Sequence, residues 1–131
     1  MNIYYVDGKY VEAEQASLPL SDLIILRGYG IFDYLRTYGG RPFHLEAHIR
    51  RLRNSARLVG LDCPWSSEEL SGIVSETLRR NTFPESSIRL VVTGGDSDDS
   101  ITPGDRSRLL VMVTPARRFP GRLEFRSIRS T

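Results

Sequence analysis

An arginine three residues after a histidine, His48-x-x-Arg51, has the clearest chemical capacity in this sequence. Residues three apart on a helix share a face. A fixed guanidinium there can hold a phosphate or carboxylate through two parallel hydrogen bonds. Arg50, Arg53 and Arg57 lie close by, so the same spacing also describes a solvent-facing basic stripe, and spacing alone favours that. Arg27 and Tyr29 sit on a glycine-punctuated turn, Arg27-Gly28-Tyr29-Gly30. Its glycines let another group approach closely, so the two side chains could reach a carboxylate or simply decorate a surface turn. Arg89 lies between Ile88 and Leu90 and either faces solvent or points into a site. Asp96-x-Asp98-Asp99 lacks the spaced ligands and closing glutamate of a calcium loop, and reads as a solvated loop. His44 and His48 are one turn apart but no third ligand pattern joins them, so no metal site is expected. Nucleophile-elbow, Walker and dinucleotide-binding patterns are absent.

These residues need elements to hold them. The stretch 26–60 carries most of that framework. Alternation predicts a strand over 31–38, with Ile31, Asp33, Leu35 and Thr37 on one face and Phe32, Tyr34, Arg36 and Tyr38 on the other. Gly39-Gly40 reads as a two-residue hairpin turn into a short strand, 41–43. From His44 the period turns helical, with Leu45, Ile49, Leu52, Ala56 and Val59 on the apolar stripe. Upstream, Asp7-Gly8 joins two β-prone runs, 3–6 and 9–11, as a hairpin. Ser21 or Asp22 is placed to cap a short helical turn over 23–26. Downstream, Ser66 with Glu69 fits a capping box opening a second helix to about Arg80. Strands follow over 87–93 and 108–114, antiparallel neighbours joined by a polar excursion. A further strand is expected over 122–128. Helices rarely intervene between successive strands, which argues against parallel crossovers. The expected fold is α+β: an antiparallel sheet of about six strands with two main helices packed on it.

The chain has 131 residues and 40% hydrophobic content, enough for one domain with a real core. A net charge of +2 gives no nucleic-acid or membrane signal. Of 18 basic residues, only Lys9 is lysine, a bias that coding composition alone can produce. The single Cys63 permits no internal disulfide, which fits a reducing compartment. No apolar run approaches membrane-spanning length and the start reads as a strand, so a soluble cytoplasmic protein is expected.

Three blocks carry a resemblance: the opening hairpin YYVDGKYV, the block LRGYGIFDYLRTYGGRPFHLEAHIRRLRNSARLVGL, and the strand and loop IRLVVTGGDSDDSITP. In this order and spacing the chain resembles the N-terminal small domain of the fold-type IV, pyridoxal-phosphate-dependent aminotransferases. That family includes branched-chain aminotransferases, D-amino-acid transaminases and aminodeoxychorismate lyase. The resemblance implies that Arg51 holds the cofactor phosphate, and that Arg27, Tyr29 and Arg89 face substrate. Many relatives carry an aromatic-Gly-Asp-Gly turn where this chain has Arg27-Gly28-Tyr29-Gly30, which points toward the D-amino-acid group and puts branched-chain specificity in doubt.

The resemblance also implies a division at about residue 116: a small domain over 1–116, then an interdomain linker over 117–131 and the start of a C-terminal domain. The lysine that forms the Schiff base with the cofactor belongs to that second domain, so no catalytic residue is assigned here and the chain alone is expected to be inactive. The implied intact enzyme moves an amino group between an amino acid and a 2-oxo acid, as a homodimer. Two alternatives stand beside it: an aminodeoxychorismate lyase reaction on the same scaffold, and a stand-alone, non-catalytic binding domain.

Overall fold

In the computed structural model, residues 2–96 and 106–116 are described. The opening hairpin forms as expected. β1 (Ile3–Val6) and β2 (Lys9–Glu12) pair antiparallel. Asp7 and Gly8 both take positive φ, 48° and 94°, the signature of the hairpin turn that matches strand twist. A single 3-10 turn, Ala13–Gln15, interrupts the irregular stretch that follows. α1 (Leu23–Arg27) is capped by Asp22, not Ser21, whose carboxylate accepts from the Ile24 amide at 2.8 Å. Gly28 ends it in the left-handed region, where a side chain would be strained.

β3 (Gly30–Tyr38) and β4 (Arg41–Pro42) are joined by Gly39-Gly40, again both at positive φ. α2 (Leu45–Val59) follows, and a Gly60 cap closes it: the Leu61 amide reaches back to Ala56 and the Gly60 amide to Arg57. Ile49, Leu52 and Ala56 are buried as the period required. Val59, the last helical residue, is exposed. α3 (Ser67–Arg79) opens on a complete capping box, Ser66 with Glu69. β5 (Ser86–Thr93) and β6 (Leu109–Pro115) pair antiparallel. The expected strand over 122–128 lies outside the described residues.

All six strands form one antiparallel sheet in the order β2-β1-β6-β5-β3-β4. Its register lines up Leu35, Ile88 and Val113, then Asp33, Leu90 and Val111, on one face. Apart from Asp33, these side chains join Ile49, Leu52, Leu70 and Val74 of the two long helices in the core. The other face carries the alternate residues: Phe32 opposite Val91, and Tyr34 opposite Arg89. Phe32, Tyr34 and Tyr38 are exposed there, since no helix of the described residues packs on that side. β4 pairs with β3 only at Thr37 and Tyr38. Residues 30–35 therefore have no strand beyond them on that edge, among the described residues.

Candidate functional site

Alternation put Asp33 on the same face as Leu35 and Thr37, and it is buried there, 4% exposed. An isolated carboxylate in that position is costly to ionise, so it must find partners. Two arrive from α2, one turn apart. Arg51 grips it side-on, Nε donating to Oδ2 at 2.8 Å and Nη2 to Oδ1 at 2.6 Å. His48 Nδ1 stands 2.8 Å from Oδ1. A carboxylate oxygen accepts, so Nδ1 carries the proton, and the 3.2 Å approach of Arg51 Nη2 to the same nitrogen is then packing, not a hydrogen bond. The Tyr34 amide adds a donor at 2.8 Å. Burial alone would raise the Asp33 carboxyl; the hydrogen bonds from Arg51, His48 and the Tyr34 amide, with the Arg51 charge, hold it below the usual aspartate range. The same pairing raises Arg51.

Arg51 is not used up by this grip. A guanidinium has five N–H groups, and Asp33 takes one from Nε and one from Nη2. The end-on fork formed by Nη1 and Nη2 remains, on a side chain 64% exposed. This is the geometry a phosphate or carboxylate accepts bidentately. Arg50, Arg53 and Arg57 differ: none forms an ion pair among the described residues, and Arg57 turns to Asn54 (2.6 Å). They lie along a groove of about 770 Å³ between α2 and α3 that includes none of the four residues singled out by sequence.

Arg89 is exposed on the bare face, its guanidinium 5.9 Å from both the Phe32 and Tyr34 ring centres. Tyr34 Oη in turn pairs with Ser87 Oγ at 2.9 Å. Phe32 and Tyr34 were no part of the sequence-derived site, although alternation had already placed them with Arg36 and Tyr38 opposite Asp33. Arg27 is exposed at the end of α1. Tyr29 donates its hydroxyl to the carbonyl of Val59, tying the glycine turn to the end of α2. No hydrogen bond or ion pair links Arg27, Tyr29, Arg51 and Arg89 to one another among the described residues. Arg51 lies on the helix side of the sheet and Arg89 on the bare side.

The glycine turn is pinned from below by a second cluster that sequence reading did not find. Asp22 is fully buried and accepts from Thr93 Oγ1 (2.7 Å) and Arg108 Nη1 (2.8 Å). Arg108 also donates to Asp96 (3.0 Å) and Asp7 (3.3 Å). Gly94 passes so close that a Cβ would stand 3.1 Å from Leu23 and 3.2 Å from the Tyr29 carbonyl. Asp96, from the aspartate run, is thus an ion-pair partner; Asp98 and Asp99 lie outside the described residues. His44 occupies the N-cap position of α2 at a positive φ of 55° without a side-chain capping bond, and its ring lies 4.0 Å from that of Phe43.

Residues 30–124 match the family described as amino-transferase class IV. The chain belongs to that family. It is 40% identical over 99 residues to a putative branched-chain-amino-acid aminotransferase of Methanocaldococcus jannaschii, covering 76% of this chain and 34% of the relative. It is 30% identical over 117 residues to a D-alanine aminotransferase of Listeria monocytogenes, 88% of this chain and 40% of the relative. An aminodeoxychorismate lyase of Bacillus subtilis is 32% identical over 96 residues. Among solved structures, the branched-chain aminotransferase of Thermoproteus uzoniensis with norvaline superposes with a TM-score of 0.80 at 29% identity, covering 89% of this chain and 41% of that one. The chain thus spans between a third and about two fifths of the length of these class IV relatives. The α+β architecture expected from sequence is present, and it superposes on the matched part of the Thermoproteus uzoniensis structure. No helix among the described residues is long and apolar enough to cross a membrane.

Proposed function

We propose that this chain is the phosphate-gripping and substrate-side domain, residues 1–116, of a pyridoxal-phosphate-dependent aminotransferase. Residues 117–131 would lead into a C-terminal domain. The reaction moves an amino group between a branched-chain or D-amino acid and a 2-oxo acid. The observation that carries this reading is the Arg51 fork, held from the side by Asp33 and open at its end. A phosphate dianion fits that donor set, so the residues present suit the cofactor. When bound, pyridoxal phosphate supplies an aldehyde to take up the amino group and a ring to delocalise the electrons released at Cα.

The chain's own residues would bind and orient. Arg51 would hold the phosphate. Arg89, among the Phe32 and Tyr34 rings, would receive a substrate carboxylate against an apolar wall. Arg27 and Tyr29 would approach from the glycine turn. A ligand lying along the open edge at residues 30–35 could touch the Arg51 fork on one side of the sheet and the Phe32 and Tyr34 rings on the other, which is how groups on opposite faces would serve one site. Lys9 is the chain's only lysine and sits in β2, four strand spacings from β3, or roughly 19 Å away. The lysine that carries the cofactor would therefore come from the C-terminal domain. A homodimeric, cytoplasmic enzyme is the assembly and location we propose.

Changing Arg51 to alanine in the intact enzyme tests the reading: cofactor affinity should fall, and unchanged affinity would remove Arg51 from the phosphate. The likeness to a Bacillus subtilis aminodeoxychorismate lyase favours one other reaction on this scaffold. Product analysis separates the two, since a transaminase forms a 2-oxo acid from its amino donor and the lyase cleaves aminodeoxychorismate.

A further inference from the structure

Asp33 is a buried charged residue among the apolar side chains of Leu35, Ile88, Leu90, Val111 and Val113 on one face of the sheet. Replacing it with an apolar residue would extend the core; a carboxylate held there calls for another explanation. Three donors converge on it: the side edge of Arg51, Nδ1 of His48 and the Tyr34 amide. Each fixes something different. The grip through Nε and Nη2 sets the plane of the guanidinium, and with it the direction in which the Nη1/Nη2 fork points. His48 blocks the carboxylate from turning. The Tyr34 amide ties it to the strand that bears Phe32 and Tyr34 on the opposite face.

We propose that Asp33 is the positioning residue that fixes the Arg51 fork for a phosphate ester, and that His48 acts through it. This rests on the proposed role of Arg51 toward the cofactor phosphate and goes beyond it by naming what orients that arginine. A free arginine side chain loses considerable rotamer freedom when it binds an anion. One already clamped side-on has lost that freedom on folding, so the phosphate meets a fork aimed in advance. The clamp also makes the site selective. It leaves two parallel donors for a bidentate oxyanion, and it presents nothing to an unphosphorylated ring.

The test is a titration of the intact apoenzyme with pyridoxal 5'-phosphate and, separately, with pyridoxal, followed by absorbance. In Asp33→Asn the expected result is about tenfold weaker binding of the phosphorylated ligand, by analogy with the residues that orient ligands at metal sites. Pyridoxal binding should not change. In the Arg51→Ala background, Asp33→Asn should add no further loss. Equal weakening of both ligands would mean a general structural role and overturn the proposal. So would wild-type affinity in Asp33→Asn, or an undiminished Asp33 effect without Arg51. If Arg51→Ala itself keeps the full preference for the phosphorylated ligand, the role of Arg51 fails and the proposal falls with it. If it loses that preference while Asp33→Asn keeps it, only the positioning role fails. Should Asp33→Asn not fold, Arg51→Lys replaces it, keeping a cation but removing the fork. Loss of the phosphate preference there supports the aimed fork, and wild-type preference overturns it.

Discussion

Two buried aspartates in this chain each hold an arginine, and they hold it to opposite ends. Asp22 grips Arg108, whose side chain is 15% exposed and whose remaining donors go to Asp96 and Asp7. Asp33 grips Arg51, whose side chain is 64% exposed and whose end-on fork has no partner among the described residues. In the first cluster one cation is distributed among three carboxylates, and the result is a knot joining α1, β6 and the turn after β1. In the second the carboxylate is surrounded by donors and the arginine keeps capacity to spare. A buried ion pair by itself says little about function; the donors left over do.

Changes at the knot should have the largest effect on folding. Removing Arg108 leaves Asp22 buried with only neutral donors, a situation that costs on the order of 3–5 kcal/mol. Arg108→Ala is therefore expected to lower the urea midpoint steeply. A loss under about 1 kcal/mol would mean that Asp22 reaches water by another route. Each aspartate keeps two other donors. The matching change in the second cluster should nevertheless be milder, because Arg51 is 64% exposed and its charge is screened by solvent, whereas Arg108 is 15% exposed. Arg51→Ala is expected to cost about 1–2 kcal/mol of stability, while its cofactor affinity falls by far more than that of any variant that spares Arg51. If Arg51→Ala proved as destabilising as Arg108→Ala, the contrast between the two clusters would disappear.

Acid titration gives a finer separation. Asp33 lies below its unfolded value of 3.8 in the folded chain, so the native state binds its proton less readily than the unfolded one. The stability it contributes is complete above pH 3.8 and is lost as pH falls through the lower native value. Replacing Asp33 with asparagine should flatten that part of the acid limb, as read from unfolding midpoints between neutral pH and strong acid. An unchanged slope would place the proton elsewhere. The smallest effect on folding is expected at Arg89, which stands exposed among rings. Arg89→Ala should leave stability within about 0.5 kcal/mol yet raise the KM for the amino donor; an unaltered KM would take Arg89 out of the substrate site.

The features readable in advance were those written into neighbouring residues. Asp7-Gly8 and Gly39-Gly40 specify hairpin turns because both turn positions need positive φ. Ser66 and Glu69 satisfy each other's helix start across three residues. The apolar stripe of α2 follows from its period, and it failed only at Val59, the last residue of the helix. The two aspartate clusters were not readable this way. Asp33 and Arg51 are 18 residues apart and Asp22 and Arg108 are 86 apart, so both pairings exist only once register and helix rotation are set. One signal was present: alternation placed a lone aspartate on the inward face of a strand, and such a residue must recruit a cation or a set of donors. The aromatic wall of Phe32 and Tyr34 was also in plain sight, but its neighbour Arg89 comes from a strand whose pairing no local pattern announces.

The open stretch of β3 at residues 30–35 bears on handling as well as chemistry. A strand edge with unpaired amides and carbonyls is a template for another strand, and here it borders the exposed Phe32 and Tyr34. Lysine or proline commonly guards such an edge, yet this stretch contains neither. Among the described residues nothing covers that edge, and copies of the chain joined along it would add to one another edge to edge. Shelf life in solution would then be governed by concentration, through a second-order step, before unfolding sets any limit.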